Sequence, residues 1–98
     1  MRIGWIQNGP EPGDRDGNLA RVESLVAGRE ADLWVLPELF ATGYLMADRD
    51  ALARVAEPVP DGPTTAFLQR LAVRRRCAFV AGVAESAPDG LFNAAVAV

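Results

Sequence analysis

Glu38 is the residue whose neighbours give it the strongest chemical setting in this chain. It follows Leu33-Trp34-Val35-Leu36, an apolar run that reads as a strand buried on both faces, and it comes directly after Pro37. Proline has no N–H for a ladder and a fixed φ, so the strand stops there. In open α/β sheets ligands sit outside the carboxyl ends of the strands, which is where this arrangement puts Glu38. Apolar Leu39 and Phe40 beside it disfavour a charged carboxylate, and that brings a general base into its working range. Thr42-Gly43 then makes a small polar turn. Tyr44 and Phe40 are candidates for a substrate-pocket wall, with packing beneath the turn the simpler role for Phe40. A solvated loop acid is the bland alternative for Glu38.

The other candidates are weaker. Cys77, the sole thiol, lies where a helix ending in Arg74-Arg75-Arg76 meets a strand. Reactive thiolates favour helix N-termini, so an inert, partly buried cysteine is expected. The arginine run suits the negative end of a helix dipole, and it has no interleaved aromatics. With a net charge of −3, nothing argues for nucleic acid or an anionic membrane as partner. Glu85 either faces the same crevice as Glu38 or caps the turn that follows it. Gly9, Gly13 and Gly17 do not have the spacing of a phosphate loop. The sequence has no histidine, which excludes Ser-His-Asp, Cys-His and the usual zinc sets within the chain. All ten basic residues are arginine, so a mechanism that needs lysine is incomplete within these residues.

The elements that must hold these residues alternate. Arg2–Gln7 reads as a strand, and Asn8–Gly17 as a loop rich in Gly, Pro and Asp. Asp16 or Asn18 can cap a helix with Leu19, Val22, Leu25 and Val26 at three- and four-residue spacing, ended by Gly28. After the Leu33–Leu36 strand, Asp48 caps a short helix carrying Leu52 and Val55. Pro63 opens a longer helix that buries Phe67, Leu68, Leu71 and Ala72. Cys77–Ala84 is a third strand, Ser86–Gly90 a turn with a strong Asp-Gly signal, and Leu91 onward a fourth strand. The order is β-α-β-α-α-β-β, an α/β layer with helices on one face of a sheet.

At 98 residues, half of them apolar, the chain fits one small domain with a modest core. No apolar run approaches the ~20 residues that span a bilayer. A strand-like N-terminus and a single cysteine point to a cytoplasmic setting. The apolar run Ala94–Val98 stops without turn, cap or polar tail, so 1–98 reads as one partial domain, truncated after its fourth strand.

Leu36-Pro37-Glu38-Leu39-Phe40-Ala41-Thr42-Gly43-Tyr44 resembles the first signature of the nitrilase, or carbon–nitrogen hydrolase, superfamily. Further segments agree in order: Met1–Gln7, Gly17-Asn18-Leu19, Pro60–Thr65, Phe79–Glu85 and Leu91–Val98. The resemblance implies the N-terminal part of an α-β-β-α sandwich and hydrolysis of a non-peptide C–N bond in a small amide, nitrile or carbamoyl compound. It implies a Glu-Lys-Cys mechanism with Glu38 as the general base, no cofactor or metal, and a homo-oligomeric or partner-dependent state. The Lys and Cys of that mechanism are not in these 98 residues, so the chain alone is expected to be inactive. The alternative is a non-catalytic α/β module, or a subunit completed by another chain. A receiver-like phospho-acceptor domain is contradicted by Gln7-Asn8 after the first strand and by the absence of lysine.

Overall fold

Four strands and three helices follow one another in the expected order in the computed structural model, which describes residues 1–98. They are β1 (Ile3–Trp5), α1 (Arg15–Val26), β2 (Leu33–Val35), α2 (Arg49–Val55), α3 (Pro63–Arg75), β3 (Ala78–Ala87) and β4 (Gly90–Ala97). The sheet order is β1-β2-β3-β4. The first three strands are parallel, with Gly4, Trp34 and Phe79 in register, and β4 runs antiparallel to β3. Parallel neighbours need a crossover between them, and the helices supply it.

The helices cover one face of the sheet, α1 packing on α3 and α3 on β3. Between these layers lies the core, with Phe40, Leu68, Phe79, Val22 and Val26 fully buried. Alternation along β3 and β4 sends Phe79, Ala81, Val83 and Val96 into it. The opposite face carries no layer: Trp5 is 76% exposed, and Ile3 and Val35 are also exposed. The reading of β2 as buried on both faces is therefore corrected. Trp34 and Leu36 point into the core, while Val35 lies on the open face.

Local chemistry sets the helix ends. Asp14, not Asp16 or Asn18, caps α1, its Oδ1 accepting from the Gly17 N–H at 3.1 Å. Asp48 caps α2 as expected, accepting from the Ala51 N–H at 2.8 Å. Gly62 stands at the cap of α3 and has no side chain to offer, so Glu57 does the work from outside. The Glu57 carboxylate, 8% exposed, accepts from the Thr64 N–H at 2.7 Å and from the Thr64 hydroxyl. Its backbone also bonds β3 through Ala84 and Ser86.

The hairpin differs from expectation in detail. β3 runs on to Ala87, which pairs with Gly90, so Ser86 is a strand residue and only Pro88-Asp89 turn. Glu85 pairs with Phe92 inside the strand and neither caps that turn nor projects from a strand end. Pairing continues past β4, where the Phe79 and Val98 N–H groups each donate to the other's carbonyl at 2.9 Å.

Candidate active site

Glu38 stands in the turn after β2 because two backbone constraints meet there. The Leu36 N–H makes the last bond of the strand, to the Val80 carbonyl at 2.8 Å, and Pro37 cannot continue it. Leu39 then takes a left-handed conformation (φ 50°), and the turn closes by the Gly43 N–H donating to the Leu39 carbonyl at 2.8 Å. Gly43 itself needs φ of 78°, a region that costs glycine nothing.

Three elements hold this turn. From α1, the fully buried Asn18 donates through Nδ2 to the Ala41 and Glu11 carbonyls, both at 2.9 Å, and its Oδ1 accepts from the Glu11 N–H at 2.8 Å. From β3, Gly82 lets the turn lie across the open face of the sheet; a Cβ there would stand 2.6 Å from the Cα of Glu38. From β4, the Asn93 Nδ2 donates to Glu38 Oε1. Phe40 plugs the turn into the core with no exposed surface.

The expected setting is only partly present. Glu38 is solvent-exposed on the open face of the sheet, so these residues do not surround it with apolar groups. Phe40 points into the core and lines no pocket, because the turn needs an apolar anchor against β2 and β3. Tyr44 is 54% exposed and contributes no enclosing wall. A cavity of about 530 Å³ opens at the other end of the strands, lined by Arg2, Asp32, Trp34, Arg75 and Cys77 among others. Arg2, Asp32 and Cys77 immediately precede β1, β2 and β3, whereas Glu38 follows β2. Its arginines are partly engaged: Arg74 pairs with Glu23 at 2.5 Å, and Arg75 donates to the Arg29 carbonyl at 2.5 Å. Burial pushes the Cys77 thiol up and outweighs the opposing pull of the Arg75 guanidinium, so the site favours the less reactive neutral thiol.

Sequence reasoning missed Asn18 and Asn93. Asn18 carried a signal: with Val22 and Val26 it forms the i, i+4, i+8 stripe buried in α1, displacing the expected Leu25, which is 37% exposed. A polar residue on a buried stripe must find partners. Asn93 carried none, since its contact with Glu38 spans 55 residues and depends on the β3–β4 register.

The carbon–nitrogen hydrolase family model matches residues 2–98. The chain belongs to that family. Among relatives of this carbon–nitrogen hydrolase chain, a nitrilase of Pyrococcus abyssi is 37% identical over 101 residues, covering all of this chain and 38% of that protein. The hydrolase in the pqqF 5′ region of Pseudomonas protegens is 35% identical over 96 residues, covering 96% of this chain and 33% of that protein. The chain thus spans roughly a third of the length of the curated relatives it matches. A solved CN-hydrolase superfamily protein from Xanthomonas campestris superposes with a TM-score of 0.80 at 29% identity, over 99% of this chain and 39% of that one. An N-terminal amidase shares the fold, with a TM-score of 0.89 at 23% identity, over all of this chain and 25% of its own. The carbon–nitrogen hydrolase chain therefore has the fold of an N-terminal part of an α-β-β-α sandwich.

Proposed function

We propose that these residues form the base-bearing N-terminal part of a hydrolase of small amides, nitriles or carbamoyl compounds, with Glu38 as general base. The observation that carries this reading is the fixing of an exposed carboxylate at the carboxyl end of a central strand by groups from α1, β3 and β4. A carboxylate so placed accepts a proton from a thiol, which then attacks the substrate carbon. The conjugate acid returns the proton to the departing amine, and the same residue deprotonates the water that releases the acyl group. The attacking Cys and a Lys to stabilise the oxyanion come from outside residues 1–98.

The whole protein carries the test. Glu38→Gln should keep its circular dichroism and melting temperature while hydrolysis of a responsive amide falls by about 10³-fold or more, the scale of losing one member of a catalytic unit. Unchanged turnover ends the assignment. The 98-residue chain alone should turn over no member of an amide and nitrile panel. A second reading, a subunit whose Lys and Cys come from another chain, is favoured by the bare sheet face, which leaves room for a partner. Co-purification of a partner that restores turnover distinguishes it.

A further inference from the structure

We infer that Asn93 is a positioning residue for Glu38: its side-chain amide holds one carboxylate oxygen and leaves the other free to take the proton. The inference rests on the general-base reading above and adds to it a residue from β4. A glutamate on an exposed turn has three rotatable side-chain bonds, so the backbone anchors at Asn18 and Gly82 do not by themselves fix where its oxygens stand. The Asn93 Nδ2 is the one protein donor that reaches this carboxylate; no ion pair engages it.

The register explains how the two residues meet. Asn93 stands opposite Ala84, two positions along β3 from Gly82, over which the Glu38 turn crosses. Alternation places Asn93 with Ala95 and Ala97 on the open face, the face on which the turn lies. The residue is exposed and outside the hydrophobic core, so packing does not account for its being an asparagine. Its chemistry fits the task. An amide donates to an acceptor-only carboxylate without adding charge, whereas an aspartate of the same shape would set a second anion against the first.

The test uses the whole protein and three variants beside Glu38→Gln. Asn93→Ala should lower kcat about 10- to 100-fold, the scale of a displaced catalytic group, with KM within about twofold. Its melting temperature should stay close to the parent's. Asn93→Asp, equal in shape but without the donor, should lose at least as much kcat, and Asn93→Gln should recover part of it. If Glu38→Gln abolishes turnover while Asn93→Ala and Asn93→Asp keep the parent kcat, Asn93 does not position the base. A rise in KM with kcat intact would overturn the inference as well, by making Asn93 a substrate contact. If Glu38→Gln itself remains active, the general-base reading falls first, and this one with it. Should the alanine variant fail to fold, the isosteric Asn93→Asp decides alone.

Discussion

A methyl group at Gly82 would press on the backbone of Glu38 rather than on a side chain that could swing away, with the Glu38 and Leu39 nitrogens also within 3.3 Å. Gly82→Ala must therefore push the turn off β3. We expect a loss of about 1–3 kcal/mol in stability, typical of overpacking, and a larger fall in turnover than that loss explains. Urea midpoints measured beside kcat in the whole protein separate the two effects. Asn18 acts by hydrogen bonds instead. Asn18→Ala strands the Ala41 carbonyl and the Glu11 N–H, while the Glu11 carbonyl keeps its bond from the Asp14 N–H, at roughly 1–3 kcal/mol for each stranded group that water does not reach. Asp48→Ala removes only the exposed cap of α2, at about 1 kcal/mol. The expected order of cost is Asn18 well above Asp48, and a reversed order in denaturant titrations would contradict the anchoring role of Asn18.

At the scale of elements, Cys77 reports on the junction of α3 and β3. Burial favours its neutral thiol and Arg75 opposes this more weakly, so at a given pH fewer thiolates form than in a free cysteine. Alkylation by iodoacetamide should follow a pH curve displaced upward in the folded chain and return to the ordinary range in denaturant. A curve displaced downward would mean that Arg75 dominates. The elements themselves were largely readable from the sequence, because caps, prolines and apolar spacing are local: Asp48, Pro63 and the stripe Leu68, Leu71 and Ala72 each fall where expected. Misplaced details share a cause in contacts between elements. Asn18 was read as a cap because its partners, Glu11 and Ala41, lie on loops that only the fold brings together. The setting of Glu38 was half legible. Pro37 marks its place, but the turn's reach over Gly82 to Asn93 belongs to the sheet register.

The whole molecule presents two unlike faces. One is closed by helices, while the other leaves Ile3, Trp5 and Val35 exposed on a continuous sheet. Apolar area of this kind favours association by roughly 25 cal/mol for each Å² removed from water. The isolated 98-residue chain should therefore sediment as an oligomer or aggregate at tens of micromolar, and Trp5→Ser with Val35→Thr should shift it toward monomer. A stable, cooperative monomer of the parent chain would show that this face is tolerated bare. No helix of these residues is long and apolar enough to cross a membrane.

The three anchors of the Glu38 turn are spread along the chain, and that spread sets an order of events as the polypeptide is made. Asn18 precedes the turn, so its bond to the Ala41 carbonyl needs only residues made by position 41. Gly82 and Asn93 arrive some 40 to 55 residues later, and at about 5–20 residues per second that delay lasts several seconds. During this interval neither of the groups from β3 and β4 exists to hold the acid. The β3–β4 hairpin closes within microseconds once both strands exist, and it delivers Gly82 and Asn93 together. The carboxylate is then set in a single late step, by the only antiparallel pairing in the sheet.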